Sequence, residues 1–238
     1  SKHPMTDYTT YLGFEHLEKL STATSLCFDC ETTGLQPEIG GLRLLQLGSA
    51  ARKIIVVVDL FSATPENLKQ LDLFFANGPR FYLAHNATFD VGWMAVYGWH
   101  LRGEVRCSML ASTLLSNGMP NMKHGLAPVA KRYLGIDVDK EQQRSDWSGE
   151  LTEAQIRYAA KDVEILCELD APIHQKIAQA GLSGAYSLEC RAIPGMASMR
   201  NNGLPFDRDE LKKIETDYAK DISNLGREFH NELDAALP

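Results

Sequence analysis

No apolar run in this chain approaches the roughly twenty residues that crossing a bilayer requires, and its N-terminus has neither a cationic start nor an apolar h-region. The expectation is an intracellular protein, of the cytoplasm or nucleoid, with no membrane partner. Cysteine is scarce and odd in number: the five thiols, at positions 27, 30, 107, 167 and 190, fit no disulfide framework. Cys27-x-x-Cys30 has the spacing of a zinc half-site or redox pair, but it shares a strand-like run with Asp29 and no second pair follows. Buried free thiols are therefore expected. Positive charge is also in short supply, 24 Lys and Arg against 31 Asp and Glu. The resulting net charge of −7 argues against broad non-specific binding to a polyanion. Ser1 to Pro4, ahead of Met5, read as a processing remnant and carry no weight in the fold.

With 44% hydrophobic and 23% charged residues over 238 positions, the chain suits one large globular domain, or one domain with an appendage, and can bury a sizeable core. Its centre of organisation is Leu26-Cys27-Phe28-Asp29-Cys30-Glu31-Thr32-Thr33-Gly34-Leu35. An apolar run that presents two carboxylates one residue apart and then turns at glycine reads as a strand ending in a charged site. Alternate side chains of a strand share a face, so Asp29 and Glu31 point the same way. Like charges that close are stabilised by a cation between them, and oxygen ligands suit a hard divalent ion. The pattern alone is weak, since it recurs at Asp162-Val163-Glu164.

Two further stretches give it weight. His85-Asn86-Ala87-Thr88-Phe89-Asp90 follows an apolar run over 81–84, which puts Asp90 in the first turn of a following helix. Tyr158 and Asp162 stand four residues apart in a helical pattern and share one face.

Taken in order, Asp29-x-Glu31, Asn86-x-x-x-Asp90 and Tyr158-x-x-x-Asp162 resemble the three exonuclease motifs of the DEDD superfamily in its tyrosine variant. Closer still is the similarity to the proofreading exonuclease domain of family A (polymerase I-like) DNA polymerases, which carry Glu-Thr-x-x-Leu after the first aspartate, as Glu31 to Leu35 do here. The resemblance covers roughly residues 25–207. It implies an α/β, ribonuclease H-like fold with a mixed sheet flanked by helices, and a metal-dependent 3′-5′ exonuclease acting on single-stranded or frayed 3′ ends of DNA. By the same resemblance Asp29, Glu31, Asp90 and Asp162 would hold two divalent ions, Mg²⁺ or Mn²⁺, and Tyr158 would orient the attacking water. Thr32, Leu35 and Asn86 would meet the 3′ end, Leu35 as a wedge beside the terminal base. The acidic net charge does not exclude a nuclease, because part of it would be metal-site carboxylate. A ribonuclease D-like RNA exonuclease is the nearest rival; an inactive module that binds nucleic acid or scaffolds a partner is the rival of another class.

Along the rest of the chain, a helical lead-in is expected over 11–20, strands over 25–31, 42–49, 53–60 and 81–84, and helices over 65–76, 107–115, 126–134 and 152–180. The short, Gly-rich or charged links between the first three strands imply antiparallel neighbours. Thr64 is available as an N-cap, residues 117–121 read as irregular, Pro172 is expected to bend or interrupt its helix, and the polar stretch 139–147 reads as a solvated loop. We expect the exonuclease domain to occupy residues 1–182, and 183–238 to form a helical extension resembling the junction to a polymerase domain. An acidic residue is usual there after the methionine matched by Met199, and Arg200 departs from that. Asp207 with Glu210 marks a helix start, and Leu211, Ile214, Tyr218, Ile222, Leu225, Phe229 and Leu233 form an apolar stripe that wants a partner, as a polymerase domain or subunit would supply.

Overall fold

The structure, a computed structural model, describes residues 8–117, 119–138 and 145–236. Six strands, β1 (Thr9–Leu12), β2 (Ser25–Thr32), β3 (Leu42–Ser49), β4 (Ile54–Asp59), β5 (Phe81–Ala84) and β6 (Glu104–Cys107), form one sheet in the order β1-β4-β3-β2-β5-β6. The turns between β2, β3 and β4 are too short for a crossover, and these strands pair antiparallel as expected. The outer pairs β1–β4, β2–β5 and β5–β6 are parallel. The intervening helices are α1 (Pro65–Ala76), α2 (Ala87–Val96), α3 (Ser108–Leu115), α4 (Leu126–Leu134) and α5 (Glu153–Gln179), followed by α6 (Ser183–Asn202) and α7 (Arg208–Ala236). This is the mixed sheet flanked by helices, of ribonuclease H-like type, that the motifs imply.

Alternation along the central strands sorts side chains between two apolar layers. Phe28, Leu45, Leu47 and Val56 point to one face with Leu71 and Phe75 of α1, whereas Cys27, Leu44, Ile55 and Val57 point to the other with Ala159, Val163 and Leu166 of α5. Gly48 lets α5 come down onto that second face. A Cβ there would sit 2.5 Å from Val163 Cγ1 and 2.9 Å from Cys167 Sγ, so the close approach of strand and helix depends on a missing side chain. The helix that this contact seats carries Tyr158 and Asp162.

Thr64 caps α1 in a capping box with Asn67, and Thr152 caps α5 in the same way with Gln155, which fixes where the third-motif helix starts. All five cysteines are free and buried. Among the described residues, no helix is long and apolar enough to cross a membrane.

Several local expectations need correction. The lead-in over 11–20 is not one helix: Tyr11 and Leu12 belong to β1, an edge strand parallel to β4, and only Phe14–Leu20 winds, as a 3₁₀ helix. Cys107 ends strand β6 and does not begin α3. Helix α5 runs through Pro172 without a break. In the polar stretch 139–147, residues 139–144 lie outside the described residues, but Trp147 is buried against Leu83, Ala159 and Val163 in the second layer, so that end of the stretch is core. Gly118 of the irregular stretch and residues 1–7 also lie outside the described residues.

The chain divides into two compact units, Ser1–Asn201 and Asn202–Pro238. Tyr186, Cys190 and Ile193 of α6 join the larger apolar layer, and the Tyr186 hydroxyl donates to the Cys107 carbonyl at 3.2 Å. Within the second unit, Asp207 Oδ1 accepts from the backbone N–H groups of Asp209 and Glu210 at the head of α7, and no residue of α7 is buried.

Candidate active site

At its C-terminal end β2 brings Asp29 and Glu31 to the α5 face, and a register shift between Glu31 and Thr32 bends the strand just beyond them. From above, α5 lowers Asp162 between them: oxygens of Asp29, Glu31 and Asp162 all lie within 4.8 Å of one another. The repeated Asp-x-Glu at 162–164 splits instead, because helical spacing turns Glu164 away from Asp162 and it pairs with Lys161 at 3.3 Å. Tyr158, one turn before Asp162, lies close enough to its carboxylate that the two shift each other's proton affinity.

The second motif arrives by a tight turn from β5 into α2. Asn86 makes that turn in the left-handed region, φ 62°, ψ 42°, where asparagine is tolerated far better than most residues. Asp90 follows in the first helical turn, 1% exposed, and among the described residues neither of its carboxylate oxygens has a hydrogen-bond partner. Beside it, burial and then the charges of Asp90 and Asp29 push the Cys30 thiol well above its ordinary range.

All four carboxylates are held above their ordinary proton affinity. Burial, then Asp90, Glu31 and Asp162, holds Asp29 well above the usual carboxylate range. Burial, then Asp162 and Asp90, pushes Glu31 up to about 8. Burial pushes Asp90 to about 8 and Asp162 to about 6, the latter against the opposing effect of Tyr158. Burial and the adjacent Asp162 raise Tyr158, so its hydroxyl stays protonated at neutral pH. An all-oxygen donor set with orphaned buried oxygens and mutual repulsion fits a hard divalent cation such as Mg²⁺ or Mn²⁺, and among the described residues no cysteine or histidine joins the group of Asp29, Glu31 and Asp162 to suit zinc.

The loop after Glu31 forms the outer rim. Thr32 Oγ1 donates to the Gly34 carbonyl at 2.6 Å, and the Thr33 N–H donates to the Gly41 carbonyl at 2.9 Å, closing the loop on itself. Leu35 projects from it, 75% exposed. Gly40 presses on α2 so closely that a Cβ would lie 3.1 Å from the Trp93 ring.

Arg200, noted above only as a departure from the family pattern, has a definite place here. Its Nη2 donates to the Leu35 carbonyl at 3.1 Å, its guanidinium lies over the Phe89 ring at 5.2 Å, and neighbouring Asn201 donates to the Gly92 carbonyl at 2.8 Å. An acidic side chain could make neither of Arg200's contacts. We expect Arg200→Ala to free the loop: amide exchange over residues 33–40 should rise about fivefold, matching a lost hydrogen bond of roughly 1 kcal/mol. Unchanged exchange there would show that the arginine does not hold the loop.

Comparison with known proteins enters at this point. A family model described as 3′-5′ exonuclease matches residues 12–178. DNA polymerase I of Aquifex aeolicus (strain VF5) is 30% identical over 247 residues, covering 92% of this chain and 40% of that protein. Ribonuclease D of Escherichia coli (strain K12) is 37% identical over 73 residues, 30% of this chain and 20% of that protein. A solved structure described as the apo form of a nuclease superposes with a TM-score of 0.70 at 25% identity, covering 83% of this chain and 95% of the other. The chain thus spans well under half the length of the two sequence relatives.

Proposed function

The chain belongs to the 3′-5′ exonuclease family, and from that premise we propose that it removes nucleotides from the 3′ end of DNA, with two divalent ions, in a proofreading role for a family A DNA polymerase. The observation that carries this is the meeting of Asp29 and Glu31 from a strand with Asp162 from a helix, within 4.8 Å and beside the unpartnered Asp90. Asp29, Glu31 and Asp162 would hold one ion, and Asp29 with Asp90 the other. Ions bound there would neutralise charge on the phosphate and lower the pKa of an attacking water.

The remaining work falls to the chain itself. The protonated Tyr158, beside Asp162, orients the attacking water and does not deprotonate it. Thr32, Leu35 and Asn86 line the approach of the 3′ end, with exposed Leu35 wedging beside the terminal base. Contacts of that kind tolerate any base, as removal of a misinserted nucleotide demands. Tyr158→Phe should slow hydrolysis about 10²-fold, in the range for a positioned group in proton transfer, while Mn²⁺ affinity is retained. An unchanged rate would reduce the tyrosine to packing.

DNA is favoured by the extent of similarity: the DNA polymerase I alignment runs over 92% of the chain, the ribonuclease D alignment over 30%. The ribonuclease D reading keeps its own support in the higher identity, 37%, of that shorter stretch. Degradation of DNA and RNA strands labelled at either end, with Mg²⁺ or Mn²⁺ present, separates the two. Loss of nucleotides from the 3′ end of RNA but not of DNA would reverse the proposal, and loss from neither would leave a binding module.

We further propose that residues 183–238 are the junction to a polymerase domain or subunit. The stripe from Leu211 to Leu233 is exposed at every position, and a helix of this length, about 45 Å, presents more apolar edge than it covers by itself. In the isolated chain, amides from Ile222 onward should exchange rapidly. Strong protection at Phe229 and Leu233 in a dilute monomer would defeat the docking role.

A further inference from the structure

On β3, Gln46 occupies a position that packing alone would give to leucine. It is 0% exposed, it lies on the sheet face that α5 covers, and its neighbours along that face are buried Leu44 and Gly48, the latter beneath Val163 and Cys167. Among the described residues, neither Nε2 nor Oε1 of this amide has a hydrogen-bond partner. Buried amides left unpaired are destabilising, and a native chain that keeps one generally has a use for it.

The register names the use. Gln46 stands directly opposite Asp29 across the antiparallel β2–β3 pair, and on its other side it faces Val57. Directly opposed side chains share a face with Cβ atoms about 5 Å apart. Of the two residues directly opposite Gln46, Val57 offers no polar atom and Asp29 offers a carboxylate.

We infer that Gln46 is a positioning residue for Asp29, its Nε2 donating to the Asp29 carboxylate when an ion is bound there and fixing the oxygens it presents to that ion. The inference rests on the metal-site reading of Asp29. A hydrogen bond to an ionised acceptor is the strong kind, so the amide contributes most when the site is loaded and least when it is empty. Such outer partners of metal ligands set the ligand's orientation without touching the metal. Gln46 also accounts for a polar residue in the centre of an otherwise apolar run, Leu44-Leu45-Gln46-Leu47, which sequence alone presents as an anomaly.

The test uses the full chain with Gln46→Leu and Gln46→Met, two replacements of similar volume, and reads two quantities independent of turnover. Stripped of metal, both variants should melt at or above the parent's midpoint, because an unpaired buried amide has gone. Titrated with Mn²⁺ alone in a calorimeter, both should bind about 10- to 100-fold more weakly, the range for loss of an outer partner. Parent-like Mn²⁺ affinity in either folded variant overturns the inference, as does loss of the cooperative melt in both, which would make the amide structural. A parent chain that binds no Mn²⁺ would instead overturn the metal-site reading beneath it.

Discussion

Asp29→Ala, and separately Asp162→Ala, should leave 3′-end hydrolysis at background while the chain keeps its fold. Each removes one of the three carboxylates that lie within 4.8 Å of one another, and each therefore takes away a ligand that nothing else in the cluster replaces. Charge stabilisation by bound ions is worth several kcal/mol in the transition state, and about 1.4 kcal/mol is a factor of ten in rate, so the loss should be on the order of 10³-fold or greater. The fold should survive because neither side chain is a packing element: the apolar layers on both faces of the sheet are built from other residues. Removing one charge also relieves its neighbours, since Asp29 is raised by Asp90, Glu31 and Asp162 together. Metal-free variants should accordingly melt above the parent near pH 8. Single-turnover cleavage of a 3′-labelled strand and a thermal melt read the two effects. Near-parental cleavage by either variant, with Mg²⁺ or Mn²⁺ present, would sink the two-ion assignment.

The juxtaposition of the candidate residues was legible in the sequence because they sit at positions of strong local pattern. Strand period two puts Asp29 and Glu31 on one face, and helical spacing aligns Tyr158 with Asp162; both juxtapositions follow from backbone geometry before any tertiary contact forms. The same holds for α1, whose first residue is fixed by Pro65 and the Thr64 cap. What stayed hidden was long-range. Strands β1 and β6 have four residues each and exist because β4 and β5 offer them edges, a partner invisible at their own positions. Trp147 is buried in a stretch whose composition is polar, because it joins an apolar layer built by residues far from it in sequence, Cys27, Leu44, Ile55 and Leu83 among them. Arg200 stood out in the sequence as a departure from the family pattern, but its contacts with Leu35 and Phe89 span 165 and 111 positions, and no local rule reaches that far. Gly48 reads locally as a weak point in a strand, and only the approach of Val163 shows why nothing larger fits.

The stability of the metal-free protein should fall as pH rises from about 5 to about 9, opposite to the trend set by ordinary salt-bridged carboxylates. Glu31 and Asp90 titrate near 8 and Asp162 near 6 in the folded chain, whereas unfolded carboxylates titrate near 4. Between those limits the native state binds more protons than the unfolded state, and stability declines with pH wherever that holds. The contribution is whole below about pH 4 and is lost first through Asp162, then through Glu31 and Asp90. Divalent ions would act in the other direction, because they would bind the native cluster in its ionised form and displace those protons. At a hundredfold excess over the dissociation constant, an ion binding only the native state adds about 2.7 kcal/mol. We therefore expect the rise in melting midpoint on adding Mn²⁺ to be small near pH 5 and large near pH 9, with EDTA restoring the falling profile. Asp90→Asn should flatten the metal-free slope by removing one of the four raised carboxylates. A metal-free midpoint that climbs from pH 5 to 9 would mean that the four carboxylates are compensated by cations of the protein itself, and the case for an ion between them would go with it.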